Sequence, residues 1–438
     1  LRKIISTRLQ NSLVFSWVIC ILATLFYTYE YLLRIEPGIM LKDLRLYFSL
    51  SAGGVGLLVS AYYWAYTPLQ LVVGLITDRF GARRVLLSAL FFCVVGTFIF
   101  GMNENYWIAG GGRFLIGVGS AFAFVGALKL GAEWLPKKYF SFFVGLCTSL
   151  GMLGAMFGET VMSWVVDHMG WHPVIVDSLW LGVVLMGVFF FFVFEKHEIT
   201  AQMRVETPLN FRLLFDYLFK MARSKTMLQV GFIGCALYLS LSVLAEQWGN
   251  TFIQKTLSVD AQSASYYVDM IFFGWFLGSP LHGILSEKLA SRRHVLIFGC
   301  VLSCASIVPI IIWAAVLSKI TLAVLLFLFG FFCSSEINCF AVANDLVERR
   351  LVATAMGLIN ACIMVSGMIV QPFFGFCLDF FSSKIHTVHS SVVYTLSDYQ
   401  KALWIVPIFL IVALVFALFI DESYHQGVNL RKRDKIHL

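Results

Sequence analysis

Apolar runs of about twenty residues alternate with short polar breaks along the whole chain, about twelve times in all. A bilayer core about 30 Å thick is crossed by about twenty helical residues. The pattern therefore predicts an all-α membrane protein with spans at 12–35, 53–75, 85–102, 107–133, 139–165, 174–194, 227–248, 261–285, 295–317, 321–345, 352–378 and 403–420. The first run follows Arg2, Lys3 and Arg8 and carries Glu30 and Arg34. It is too long for a signal peptide and lacks a small-residue cleavage site, so it reads as the first span. The longest polar stretch lies between spans six and seven. It predicts an N-terminal six-helix half (1–195), a linker (196–225) and a C-terminal six-helix half (226–438).

Composition removes the alternatives. Of 438 residues, 59% are hydrophobic and 13% charged, against roughly 25% charged in a soluble domain, which must cover its core with polar surface. Soluble enzymes and nucleic-acid binders are thereby excluded as classes. The net charge of +7 then reports orientation. With the N-terminus inside, Arg79, Arg83, Arg84, Lys137, Lys138, the 196–225 stretch, Lys288, Arg292, Arg293, Arg349, Arg350 and the 431–435 tail all fall on the inner side, and the long polar stretch 379–401 falls outside. This predicts an integral protein of a bacterial inner membrane with both termini cytoplasmic, in contact with anionic lipid. The ten cysteines lie almost entirely inside spans without Cys-x-x-Cys pairs, which reads as apolar packing. No metal or cofactor is expected.

The chain repeats itself. Gly74-Leu-Ile-Thr-Asp78-Arg79-Phe-Gly81-Ala-Arg83-Arg84 after span two matches Gly283-Ile-Leu-Ser-Glu287-Lys288-Leu-Ala-Ser-Arg292-Arg293 after span eight. Tyr29 and Tyr238 stand at the same separation in sequence. Gly145-Leu and Gly357-Leu repeat at a slightly longer one. Repeated halves of six helices are a common plan of secondary transporters, with the substrate held between the halves near the midplane.

These residues carry a resemblance. The 74–84 segment resembles the signature between helices two and three of the major facilitator superfamily, and Arg113-Phe-Leu-Ile-Gly117-Val-Gly119 resembles that superfamily's Arg-x-x-x-Gly-x-Gly on helix four. The resemblance implies two pseudo-symmetric six-helix bundles. Helices one, four, seven and ten would line a central cavity, and three, six, nine and twelve would face lipid. It also implies that Gly74, Asp78, Arg79 and Glu287 form gating latches, with Asp78 paired to Arg79, Arg83 or a neighbouring helix. The antiporter pattern on helix five is only partly matched by Gly145, Gly154 and Gly158, because Glu159 stands where its proline would be. Tyr29-Glu30-Tyr31 with Arg34, Glu133-Trp134-Leu135-Pro136 and Gly357-x-x-Asn360 look like the organic-anion, sugar-phosphate and amino-acid or peptide carriers of the superfamily, including bacterial relatives of the lysosomal dipeptide carriers.

An ionisable side chain in hydrocarbon costs several kcal/mol unless it is paired or faces water, so each one marks a candidate site. The candidates are Glu30 and Arg34 on span one, Arg113 and Lys129 on span four, Glu159 on five, Asp269 on eight and Glu336 on ten. Glu30 and Arg34 share a helix face at i, i+4, the spacing of a local salt bridge. Helical rise puts Arg113 and Glu159 at one depth, as a possible pair across the hairpin. Lys129 is near enough to the headgroups to snorkel.

A guanidinium gives permanent, bidentate recognition of carboxylate or phosphate, so Arg34 and Arg113 are the expected anion contacts, with Tyr29, Tyr238, Asn338 and Asn360 as neutral partners. Glu30, Asp269 and Glu336 are the expected proton carriers. No phosphate-binding loop is present, so an ion or substrate gradient must supply the energy. The expectation is a monomeric, proton-coupled importer of a small anionic or zwitterionic nutrient, an amino acid, dipeptide or organic acid. The rivals are an exporter of a drug or siderophore-like metabolite and a transporter-like sensor.

Overall fold

The computed structural model describes residues 12–194, 211–347, 351–382, 387–388, 391–392 and 394–423. Among them, eleven helices are long and apolar enough to cross a bilayer. They become twelve when Leu41–Tyr47 and Ala52–Leu69, bent by 110°, count as one span. The first half of the expected linker, like the 431–435 tail, Arg349 and Arg350, lies outside the described residues, and a helix Phe211–Ala222 occupies most of its second half.

Helix starts follow local chemistry. Ser12, Ser51, Asn105, Ser224, Asp260, Ser291, Ser318 and Thr395 each accept a backbone amide with their side chains at the head of a helix, satisfying donors that have no partner within the helix. Gly81, at φ +86°, turns the chain between spans two and three, a conformation open to glycine at no steric cost.

Several spans are broken rather than straight. Span two runs Ala52–Leu69 and resumes as Val73–Phe80 just after Pro68. Span seven is α-helical over Lys225–Leu239, widens to a π-helix over Ser240–Trp248 and continues over Gly249–Leu257. It is therefore longer than the apolar run suggested. Span eleven contains a second π-segment, Ser366–Val370, before Gln371 and Pro372. A short helix, Leu41–Tyr47, follows span one without a forecast. Span twelve comprises Leu396–Leu403 and Ile405–Phe419.

Glycines bring spans into backbone contact. A Cβ on Gly117 of span four would lie 2.0 Å from the Tyr62 carbonyl oxygen of span two, so only glycine permits that crossing. Spans three, six, nine and twelve turn Phe91, Phe98, Phe191, Phe298 and Ile411 outward, as lipid-facing helices should.

The two bundles meet tightly at the end carrying the Leu41–Tyr47 helix. There Thr160 of span five donates to Asp269 of span eight at 2.7 Å, and Asn250 of span seven donates to Glu159 at 2.9 Å. Asp379 of span eleven accepts the amides of Ala52 and Gly53 at 3.0 and 2.8 Å. Towards the other end, which carries the 78–84 loop, spans five and eight part. The space between the bundles is a cavity of about 460 Å³.

Candidate functional site

The cavity reaches from the molecular centre to Gly145 and Thr148 on span five and Ser279 and Gly283 on span eight. Arg34 lies at its inner end. The Arg34 Nη2 meets Glu30 Oε1 at 2.6 Å, which is the expected i, i+4 bridge, and Nε donates to the Tyr62 hydroxyl at 3.2 Å. Nη1 crosses to the other bundle, donating to the Tyr238 hydroxyl at 3.0 Å and standing 3.9 Å from Glu246 Oε1. The rings of Tyr31 and Tyr66 flank the guanidinium at 4.6 and 5.0 Å. Tyr62 in turn donates to Glu30, and Tyr63 and Tyr238 donate to Glu246.

One cation thus stands between two carboxylates, held by four phenols, at the seam of the bundles. Glu246, in the π-segment of span seven, is not among the candidates drawn from the sequence. Its signal was present: it is the one acidic residue in the apolar run 227–248. The backbone at that point is pinned by Gly38, where a Cβ would stand 2.2 Å from the Glu246 carbonyl oxygen.

Other expected site residues are distributed unevenly. Glu336 and Asn360 line the cavity. Glu336 has no ion pair among the described residues, and Asn360 donates to Gln70 Oε1 across the seam at 2.9 Å. Tyr29 does not line the cavity. Two residues from Tyr27 and Tyr31, which do, it falls on the other side of the helix, and its hydroxyl packs against Gly182 of span six. Asn338 is buried against its own helix, donating to the Ser335 carbonyl at 3.0 Å. Asp269 belongs to the closed end, on Thr160.

Arg113 is fully buried, yet it neither lines the cavity nor pairs with Glu159. Its Nη1 donates to the Leu33 carbonyl at 2.7 Å, while Nε and Nη2 have no hydrogen-bond partner among the described residues. Equal depth did not make a pair because the two side chains leave their helices on different faces. Arg113 turns towards spans one and two, and Glu159 towards Asn250.

The chain matches the Major Facilitator Superfamily over residues 16–274 and 230–438. It belongs to that superfamily. Among curated relatives, it is 24% identical over 383 residues to the probable sulfoacetate transporter SauU of Cupriavidus necator, covering 81% of this chain and 85% of the relative. It is 21% identical over 412 residues to the probable galactarate/D-glucarate transporter GarP of Escherichia coli, covering 86% and 89%. Its fold is similar to that of a bacterial homologue of the human lysosomal transporter Spinster, with a TM-score of 0.75, 13% identity and coverage of 96% and 99%.

Of the partners the resemblance allows Asp78, a neighbouring helix is the one present in the structure. Asp78 pairs with Lys129 of span four at 2.7 Å, so Lys129 is held by a carboxylate rather than snorkelling alone. Arg79 makes no ion pair among the described residues. Arg83 donates from Nη2 to the Phe190 carbonyl at 3.1 Å and from Nε to the Val193 carbonyl, capping the end of span six. In the second half, Arg292 bridges Glu287 at 2.5 Å and Asp345 at 3.3 Å, while Arg293 caps span twelve at the Leu418 carbonyl. Both acid–base pairs stay within one bundle. In this conformation they brace each bundle and do not latch the two together. A Cβ on Gly74 would meet nothing within 4 Å, so no packing contact in this state demands that glycine.

Proposed function

We propose that this member of the superfamily imports a small organic acid together with a proton, by rocking its two six-helix bundles about the central cavity. The carrying observation is the Arg34 guanidinium at the cavity's inner end, shared by both bundles. It can exchange Glu30 or Tyr238 for a substrate carboxylate or sulfonate, a match its planar fork favours. The named relatives bear on the same chemistry, since sulfoacetate and the sugar diacids are small dianions.

Charge balance supports the coupling. Glu30 and Glu246 share a single cation, and when an anionic substrate takes over Arg34 both lose it. Keeping two carboxylates buried without a cation is costly, and a proton on one of them offsets that cost. Substrate and proton would then enter together. Glu336, on the cavity wall, is a second station for the proton. The placement of basic residues supports cytoplasmic termini in a bacterial inner membrane, with this cavity open to the cytoplasm, and a monomer contains every group the cycle needs.

The test is uptake of labelled D-glucarate and sulfoacetate by proteoliposomes with the interior made alkaline. Accumulation that collapses with the pH gradient supports the reading. Equilibration that ignores the gradient leaves a uniporter, and transport confined to neutral solutes overturns the anion assignment.

A further inference from the structure

At the closed end of the seam, opposite the central cavity, lies a second cavity of about 190 Å³. We infer that it is a binding site for a small carboxylate, sulfonate or inorganic oxyanion, and that an occupant holds this end of the seam closed. Its basic groups come from both bundles: Lys42 and Arg45 from the Leu41–Tyr47 helix of the first, and Lys255 from the Gly249–Leu257 segment of the second. No Asp or Glu stands among the described residues that line it.

Two of the neighbouring acids, Asp379 and Asp398, are engaged elsewhere. Asp379 receives the amides of Ala52 and Gly53 and the Tyr394 hydroxyl. Asp398 closes the cap of the Leu396–Leu403 helix by accepting the Thr395 amide at 2.8 Å. Asp43 follows Lys42 on the same short helix and interacts with it electrostatically, but it is not part of the lining. Arg45 is placed in advance, its guanidinium 4.3 Å from the centre of the Tyr394 ring. Thr251, which accepts from the Tyr399 hydroxyl at 3.1 Å, supplies a neutral hydrogen-bonding group.

Cations facing one another across a seam oppose its closure. An anion seated between them removes that opposition and adds attraction to both bundles, so it binds the closed end better than the open one. Differential affinity of that kind shifts the conformational equilibrium. Trp248, which also lines the site, ends the π-segment that carries Glu246. The site therefore rests on the backbone that positions the central network. Which anion occupies it in the cell, the transported acid or an inorganic oxyanion such as sulfate, rests on the organic-acid reading above; the existence of the site does not.

The experiment uses the full chain in lipid nanodiscs, with sulfate and D-glucarate as separate probes at constant ionic strength set by chloride. The variant is Lys42→Gln/Lys255→Gln, two exposed positions outside the central network. Sulfate is expected to raise the melting temperature of the unaltered protein and to leave that of the variant unmoved. A sulfate shift equal in the two proteins, or absent from both, overturns the site. Glucarate protection reduced but not abolished in the variant identifies the transported acid as an occupant, because the central site still binds it. Glucarate protection equal in the two, beside a sulfate shift lost in the variant, assigns the site to inorganic oxyanions. If glucarate neither protects nor is transported while the sulfate shift is lost in the variant, the organic-acid reading fails and the peripheral site stands.

Discussion

Arg34 of span one and Tyr238 of span seven meet at 3.0 Å across the seam of the two bundles. Tyr238 passes the contact on to Glu246, also at 3.0 Å. Through this phenol, and directly at 3.9 Å, the cation of the first bundle feels the acid of the second, so moving either bundle re-partners both charges.

Replacement of Arg34 should separate charge from geometry. Arg34→Lys keeps the cation but loses the fork that reaches Glu30, Tyr62 and Tyr238 together. The expected result is a fall in kcat/KM for an anionic substrate of about tenfold or more, equivalent to about 1.4 kcal/mol. Arg34→Met leaves two buried acids without a cation and should cost about 3–5 kcal/mol of stability. Adding Glu30→Gln to Arg34→Met should recover part of it, read as the melting temperature in detergent. An additive loss would show that the pair is not energetically coupled.

Glu246→Gln retains an acceptor for Tyr63 and Tyr238 but cannot carry a proton. Exchange of labelled for unlabelled substrate across proteoliposomes should persist, while accumulation driven by a pH gradient is lost. Glu336→Gln, which removes only the second station, should slow gradient-driven accumulation without abolishing it. The opposite pattern would move the coupling site from the Arg34 network to the cavity wall.

The Asp78–Lys129 pair tests whether the loop signature matters for stability or for movement. The Asp78 side chain is 54% exposed, and exposed pairs contribute about 0–1 kcal/mol. Asp78→Asn should therefore hardly shift the melting temperature. If the brace serves the transport cycle, it should slow uptake severalfold, and Asp78→Lys/Lys129→Asp should restore part of the rate. Normal uptake by Asp78→Asn would reduce the loop to a determinant of orientation.

Two glycines predict opposite outcomes. Gly117→Ala forces a Cβ into the Tyr62 backbone and should cost about 1–3 kcal/mol, the range of an overpacked contact, or prevent a monodisperse preparation. Gly74→Ala meets open space and should be as stable as the parent, or slightly more so, since alanine favours a helix by about 1 kcal/mol. Lost transport in a stable Gly74→Ala protein would place the need for that glycine in another conformation.

The architecture was legible in the chain because lipid imposes a rule on every span: about twenty apolar residues, with few charges. That rule located the spans. The duplicated Gly74 and Gly283 segments exposed the two halves, and Glu30 and Arg34 were legible as partners because i, i+4 fixes them on one face without help from the rest of the fold. Tyr29 was misplaced for the complementary reason. A tyrosine at 27, 29 or 31 satisfies the same composition, and only the rotation of the helix within its bundle decides which of them face the cavity.

What the sequence by itself determined is local and additive: span lengths, caps, the repeat, and which side chains are costly in hydrocarbon. What only the tertiary structure decided is which costly groups share a solution. It set Arg34 between Glu30 and Glu246, left Arg113 away from Glu159, gave Lys129 to Asp78, and kept each loop brace within its own bundle. Those pairings join residues far apart in sequence. They follow from how helices rotate and where they widen, as at Ser240–Trp248, and neither is written in a period of 3.6 residues.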